Sequence, residues 1–192
     1  NWYYASIDNH IFKLILSDTP AARLIAYNTN HYAYLQSNTA YAAPVTMGTR
    51  TRFDGAYPGA LWLADTGGTP NVPDQADNMV GLGRLSVGNT NIYGRQRSGT
   101  TQSQQMYANP SPYTAAHNYE ARWSGTAVTY YQDTTLLGTS TSNVPSVDLR
   151  ATLGGVSAVN PTGFNVSTYW VYLRAYAATE PTVGIGAAPQ TL

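Results

Sequence analysis

Cysteine is absent from this sequence of 192 residues, and charged residues are rare. The lack of cysteine excludes a disulfide scaffold, thiolate catalysis and a zinc ribbon, although it leaves an extracellular location open. Charged residues make up 10% of the chain, against about 25% in an average soluble domain. Because the formal net charge is zero, no basic surface is available to attract nucleic acid or an anionic membrane.

Long hydrophobic runs are also missing. No apolar run approaches the ~20 residues that a membrane-spanning helix needs, so we expect no segment that spans a membrane. The most apolar run, residues 10–17, predicts a strand buried on both faces. The chain begins with Asn1 rather than methionine and is rich in hydroxyl and amide side chains. We therefore expect an extracellular or cell-surface protein whose leader peptide has been removed.

Two-residue alternation dominates what is present. Residues 119–137 alternate apolar and polar side chains between turn residues, and they predict a three-stranded antiparallel meander. Residues 45–53 alternate in the same way, and residues 79–87 and 91–97 predict a hairpin. Together these patterns predict the middle of an antiparallel sheet structure.

Other segments are less uniform. Residues 168–176 predict a last strand, whereas the polar residues 98–105 predict a loop. Residues 19–26 allow two interpretations, either a short helix that begins near Pro20 or a strand over residues 23–27.

Roughly ten to thirteen such strands predict an all-β fold, namely an antiparallel β-sandwich of the jelly-roll type. We expect one domain over residues 1–192, with residues 1–9 and 182–192 as candidate extended arms. Three tryptophans are expected to point into the core from their strands: Trp62, Trp123 and Trp170.

Three motifs resemble a known superfamily. They are Tyr-Glu-Ala-Arg-Trp at 119–123, Val-Thr-Tyr-Tyr-Gln-Asp at 128–133 and Asn-Val-Pro at 143–145, and they resemble the concanavalin A-like lectin/glucanase (laminin-G-like) sandwich. Residues 169–183 resemble the ending of uncharacterised domains in archaeal and bacterial surface proteins. The resemblance covers about residues 44–183 and implies two curved antiparallel sheets in an extracellular setting. Tyr169 and Thr134 depart from the Asp and Gly that are usual at these positions.

Catalytic carboxylates of the kind that this resemblance implies are not found in the sequence. Glucanases of the superfamily carry an E-x-D-x-x-E strand with paired carboxylates, whereas this chain has two glutamates, Glu120 and Glu180, and no such motif. We expect Glu120 to form an exposed ion pair with Arg122. No Gly-x-Ser-x-Gly motif accompanies the histidines. The sequence therefore predicts that the chain is not an enzyme.

Cofactor signals are weak. No cluster of His, Asp and Glu has the spacing of a zinc site, and we expect no cofactor. Calcium is the one candidate metal, because oxygen-bearing side chains share or border one loop: Asp65, Asp74, Asp77 and Asn78. A solvated polar loop is the competing interpretation.

Tyrosine is abundant, with 16 copies beside four tryptophans. Those beyond the needs of a core form a candidate surface for contacts or for glycans, because aromatic rings stack on sugars and fill interfaces. The candidates are Tyr32, Tyr34, Tyr41, Tyr107 and Tyr113. Asn165 begins the acceptor tripeptide Asn-Val-Ser for N-glycosylation.

Two functions remain after these exclusions. The first is a non-catalytic, secreted or cell-surface structural protein that binds copies of itself and forms a filament by strand exchange. The candidate donor strands carry Trp2, Tyr3 and Tyr4 at one end, and Val183 and Ile185 at the other. The alternative is a carbohydrate-binding, lectin-like module whose tyrosines contact the glycan.

Overall fold

The computed structural model describes residues 2–6, 15–16, 22–26, 31–53, 59–65, 76–84, 91–108, 115–157 and 164–176. Fourteen strands and no helix occur among these residues, so this part of the chain contains no helix that could cross a membrane. The strands are β1 (Trp2–Ser6), β2 (Ile15–Leu16), β3 (Ala22–Ala26), β4 (His31–Tyr41), β5 (Val45–Phe53), β6 (Gly59–Ala64), β7 (Asn78–Gly83), β8 (Ile92–Ser98), β9 (Thr101–Tyr107), β10 (His117–Trp123), β11 (Val128–Gln132), β12 (Thr135–Ser140), β13 (Leu149–Ser157) and β14 (Phe164–Ala175).

Two seven-stranded antiparallel sheets hold all of these strands. Sheet A has the order β1-β4-β13-β6-β7-β8-β9, and sheet B has the order β12-β11-β10-β5-β14-β3-β2. The many non-consecutive neighbours are typical of a jelly roll, in which successive strands cross between sheets. The predicted all-β antiparallel sandwich is confirmed.

The predicted meander is present in sheet B. Strands β10, β11 and β12 pair in order, with Tyr119 opposite Gln132 and Trp123 opposite Val128. Gly125 lies in the first turn with a φ of 97°, a conformation that glycine adopts without the penalty of a Cβ atom. The predicted hairpin of sheet A is also present, since β7 pairs with β8.

Two segments differ from the prediction or decide between its alternatives. Residues 101–107 form β9, although a loop was predicted over residues 98–105. Strand β9 is an edge strand whose side chains are mostly exposed, so it has no apolar alternation for the sequence to reveal. Residues 22–26 form β3, which favours the strand interpretation over the helix.

The core between the sheets is centred on large residues of sheet B. Trp123 and Tyr130 are fully buried and belong to one cluster with Leu63, Val80 and Leu82 of sheet A. The Tyr130 ring reaches so far into sheet A that a Cβ atom on Gly94 would lie 2.5 Å from it. Glycine at position 94 is thus required by the size of Tyr130.

The Tyr130 hydroxyl also connects the two sheets through hydrogen bonds. It donates to the carbonyl oxygen of Arg95 at 3.2 Å and accepts from the side-chain amide of Gln96. Burial raises the pKa of Tyr130, and it does the same for Tyr119. The Tyr119 hydroxyl is buried too, but it has no hydrogen-bond partner among the described residues.

These two tyrosines form a matched pair for a stability measurement. Tyr130→Phe should lower the free energy of unfolding by about 1–3 kcal/mol, because it leaves the Gln96 amide and the Arg95 carbonyl without their buried partner. Tyr119→Phe should change it by less than about 0.5 kcal/mol or raise it, because no hydrogen bond is lost. Urea unfolding of both variants is the measurement. Equal destabilisation by the two substitutions would contradict this account of the core.

Candidate functional site

The outer face of sheet A carries a row of small residues between two tyrosines. Leu63, Val80 and Leu82 point into the core, so the residues that alternate with them lie on the outer face. We call the following neighbours in register the small-residue row: Tyr34 of β4, Gly154 of β13, Ala60 of β6, Gly83 of β7 and Tyr93 of β8. Four steps of about 4.8 Å between strands make this row about 19 Å long.

A second row on the same face is polar. It consists of residues in register on six strands, which we call the polar row: Gln36, Thr152, Trp62, Gly81, Arg95 and Gln104. The Gln36 amide donates a hydrogen bond of 2.9 Å to the Thr152 hydroxyl, and both side chains are buried. This bond fixes one end of the row before any ligand arrives.

The opposite end of both rows lies on the edge hairpin of β8 and β9. Tyr93 and Arg95 are half-buried on β8, and their partners in register on β9 are Met106 and Gln104. Met106 is 56% exposed, and Gln104 is exposed as well. An aromatic ring, a guanidinium and an amide therefore lie together at an accessible edge.

Carboxylates near sheet A lie at one end of its central strands. Asp65 follows β6 and accepts a hydrogen bond of 2.6 Å from the Asn78 amide, while the neighbouring Asp77 is exposed. Asp74, the other residue of the predicted calcium loop, lies outside the described residues. Within the described part of the chain, no three His, Cys, Asp or Glu side chains are grouped as a metal site would need.

The outer face of sheet B holds Glu120, which is not the exposed residue that the sequence predicts. The predicted ion pair with Arg122 is present, but the Glu120 side chain is only 14% exposed. It also accepts hydrogen bonds from the Tyr172 hydroxyl and, at 3.3 Å, from Arg174. Burial and the bond to Glu120 raise the pKa of Tyr172 to about 12.

Gly48 makes this arrangement possible. It lies between Glu120 and Tyr172 in register, and a Cβ atom at this position would overlap the Tyr172 ring. Because Gly48 has no side chain, the ring crosses β5 and reaches the carboxylate. The Arg122 guanidinium, in turn, lies 4.1 Å from the centroid of the Tyr131 ring, close enough for a cation–π contact.

Trp170 points outward, which corrects the prediction that it points into the core. The register between β14 and β5 shifts between Thr168 and Trp170, so Tyr169 is an extra residue in the strand. A bulge of this kind turns the following side chain to the other face. Trp170 is 40% exposed, whereas Trp123 is buried as predicted. Trp62 lies in β6 within the polar row.

A chain of threonine hydroxyls supports the bulge from the core side. The Thr49 hydroxyl donates to the carbonyl oxygen of Trp170 at 2.8 Å. Its single proton is then in use, so Thr51 donates to Thr49 over 2.9 Å, and Thr168 donates to Thr51 over 3.2 Å. The irregular backbone of β14 is thus hydrogen-bonded inside the sandwich.

The structure separates the five tyrosines that the sequence grouped into one surface. Tyr34 belongs to the small-residue row, and Tyr32 lies two residues earlier on β4. Tyr41 is half-buried opposite Leu149, and Tyr113 lies outside the described residues. The prediction that Tyr107 lies on the surface is wrong, because this residue is 6% exposed and packs against Tyr130.

The candidate donor strand at the beginning of the chain pairs within its own sheet. Trp2, Tyr3 and Tyr4 belong to β1, which pairs with β4 of the same chain. Val183 and Ile185 lie outside the described residues. Asn165 lies in β14 opposite Ile25 of β3, and its glycosylation stays a prediction.

The histidines do not form a catalytic group in the described residues. His117 pairs with Asp133, with 2.8 Å between Nδ1 and Oδ2. Asp133 also accepts a hydrogen bond from the Asn118 backbone, so this pair closes the turn between β11 and β12.

Several solved structures are similar to this chain. A Bacillus licheniformis β-glucanase is 14% identical, with a TM-score of 0.69 over 88% of this chain and 90% of the glucanase. A β-1,3-1,4-glucanase (lichenase) from a mouse hindgut metagenome is 13% identical, with a TM-score of 0.67 over 88% of this chain and 91% of the lichenase. A β-agarase A in complex with oligoagarose is 14% identical, with a TM-score of 0.61 over 90% of this chain and 82% of the agarase.

Comparisons of the sequence alone give no match. No protein-family model matches the chain, and no curated protein matches it. The structural likeness confirms the concanavalin A-like glucanase fold that the sequence motifs resemble.

The same structures contradict the predicted function. Proteins that share the fold along most of this chain include glucanases and a β-agarase. The prediction of a non-catalytic structural protein that self-associates is therefore overturned, and so is the prediction that the chain is not an enzyme. Binding to copies of itself has no support in the structure, whereas contact with glycans fits the fold.

Substitution of two threonines of β5 tests whether the hydrogen bond from Thr49 to the Trp170 carbonyl stabilises the bulge. Thr49→Val should lower the free energy of unfolding by about 1–3 kcal/mol, because the Trp170 carbonyl oxygen and the Thr51 hydroxyl lose their partner. Thr46→Val is the matched control, since Thr46 is also fully buried but its hydroxyl has no partner among the described residues. We expect this control to be neutral in thermal and urea unfolding. Equal losses in both variants would contradict the role of Thr49.

Proposed function

We propose that this chain is a carbohydrate-active protein that binds an extended polysaccharide across the outer face of sheet A. The observation that carries the proposal is the small-residue row. Glycine within a strand often marks a place where a ligand approaches the backbone closely. Here three small residues lie in register across the sheet, between the positions of Tyr34 and Tyr93.

The accessible end of the polar row supplies hydrogen-bonding groups for a sugar. Binding sites for small molecules combine apolar and aromatic surface with a few fixed polar groups. Gln36 and Thr152 are buried and bonded to each other, whereas Arg95 is half-buried and its neighbour Gln104 is exposed. A polysaccharide that follows the small-residue row would meet Arg95 and Gln104 at the edge of the sheet. We also propose an extracellular location, where such polymers are found.

Tyr93 provides the test of binding. Tyr93→Ala should weaken the affinity for a bound polysaccharide at least roughly tenfold, because loss of about 1.5–3 kcal/mol of aromatic contact corresponds to a factor of ten or more. The measurement is affinity gel electrophoresis with a β-1,3-1,4-glucan and with agarose. Leu136→Ala is the control, because Leu136 is 56% exposed on β12 of sheet B. Failure of the wild-type protein to bind either polymer, or unchanged binding by Tyr93→Ala, would refute the proposal.

Glycan hydrolysis is the second candidate function. Its support is that the similar structures are glucanases and an agarase, and that two aspartates, Asp65 and Asp77, flank the same end of β6 and β7. Glycoside hydrolysis normally uses a pair of carboxylates as acid and as base or nucleophile. Asp65 accepts a hydrogen bond from the Asn78 amide, whereas Asp77 is exposed to solvent.

The hydrolytic role of this pair predicts the release of reducing ends from a β-1,3-1,4-glucan or from agarose. Asp77→Asn and Asp65→Asn should each lower that rate by about 100-fold or more, the usual contribution of an acid–base group. Asp148→Asn is the control, since Asp148 is exposed and precedes β13. Binding without release of reducing ends would assign the chain to the lectin-like class. Full activity in both aspartate variants would exclude this pair.

A further inference from the structure

We propose that the outer face of sheet B carries a second carbohydrate site, selective for glycans that bear carboxylate or sulfate groups. The site is the array of outward side chains on three neighbouring strands, which we call the sheet B platform: Trp170, Tyr172, Arg174, Arg50, Glu120 and Arg122. It lies on the opposite side of the sandwich from the rows of sheet A and does not depend on them.

Trp170 is the stacking surface of this platform. Its side chain is 40% exposed. Its ring lies next to that of Tyr172, with 5.6 Å between centroids and 31° between planes. Two rings at this small angle present a broad apolar surface, of the kind that packs against the face of a sugar ring.

The bulge at Tyr169 gives independent support. Regular alternation would send Trp170 into the core, and the extra residue sends it outward instead. Bulges are common beside binding sites, where they change the direction of a side chain. Here the irregular carbonyl group is bonded to Thr49 within the core, so the sandwich stabilises the exposed position of the indole.

The charge of the platform selects the class of glycan. Arg122 and Arg174 share one carboxylate, that of Glu120. Arg50 lies opposite Trp170 in register, and its Nη1 donates at 3.2 Å to the neutral amide of Asn118. The platform thus contains three arginines and one glutamate. An acidic group on a stacked sugar would meet Arg50 at the edge of the indole, and guanidinium groups bind carboxylate and sulfate strongly.

The platform is ordered before a ligand binds. Tyr172 is bonded to Glu120, and the Arg174 guanidinium carbon lies 5.8 Å from the centroid of the Tyr172 ring. Side chains that are already fixed lose little entropy on binding, so more of the contact energy appears as affinity. The zero net charge of the whole chain disfavours nucleic acid, which needs an extended basic surface.

The test compares acidic and neutral polymers on the folded protein. The probes are polygalacturonate and dextran sulfate against dextran and a β-1,3-1,4-glucan, in affinity electrophoresis and calorimetry at low and high salt. We expect the wild-type protein to bind at least one acidic probe. Trp170→Ala should weaken that binding at least tenfold. Arg50→Gln should weaken it several-fold and reduce its dependence on salt, because one charge contact is removed.

Two further variants separate this site from the one on sheet A. Gly48→Ala should weaken acidic binding as Trp170→Ala does, because the new Cβ atom displaces the Tyr172 ring. Tyr93→Ala should leave acidic binding unchanged, and Trp170→Ala should leave any binding of neutral glucan unchanged. Circular dichroism and thermal unfolding establish that each variant is folded.

Four results would overturn the proposal. They are no binding of either acidic probe by the wild-type protein, unchanged binding in both Trp170→Ala and Arg50→Gln, loss of acidic binding in Tyr93→Ala, and equal affinity for polyglutamate or single-stranded DNA. The third result would move the acidic glycan to sheet A, and the fourth would assign the platform to acidic polymers in general. Failure of neutral glucan binding would refute the sheet A proposal alone.

Discussion

The contact of Tyr130 with strand β8 determines how the two sheets fit together. Its ring occupies the space that Gly94 leaves free, and its hydroxyl bonds to Gln96 and to the Arg95 carbonyl. If β8 shifted by one residue relative to β11, the Tyr130 ring would lose the space at Gly94 and its hydroxyl would lose the hydrogen bond from Gln96. The outer residues of β8 alternate with the inner ones, so the positions of Tyr93 and Arg95 on the outer face follow from a contact inside the core.

The sequence predicts the central strands well because their two faces differ. In β10 from Asn118 onward, and throughout β11, buried and half-exposed positions alternate, and such a pattern is visible in residue types alone. Strand β9 lacks it, since its edge position leaves nearly every side chain in solvent. The motifs at 119–133 also predict the superfamily fold, because they lie in strands β10 and β11, whose large side chains fill the core.

The candidate sites could be predicted only in part. The glycines of the small-residue row are visible in the sequence, but their register with Tyr34 and Tyr93 depends on pairing between strands that are far apart in the chain. The sequence pattern predicts Trp170 in the core because a single extra residue in β14 leaves no mark on the residue types. It predicts Glu120 in solvent because nothing local indicates that Tyr172 lies across β5 from it.

The bulge at Tyr169 also makes the exposed tryptophan a property of how its strand is paired. Residues on both sides of the bulge pair with β5, and those before it pair with β3 as well. A relative that lacks the extra residue would keep the tryptophan opposite Arg50 on the outer face, whereas a relative that pairs Tyr169 regularly with β5 would turn the tryptophan into the core. An aligned tryptophan is therefore informative about glycan contacts only together with the pairing of its strand. Comparisons among such proteins should establish that pairing before they use the aromatic residue.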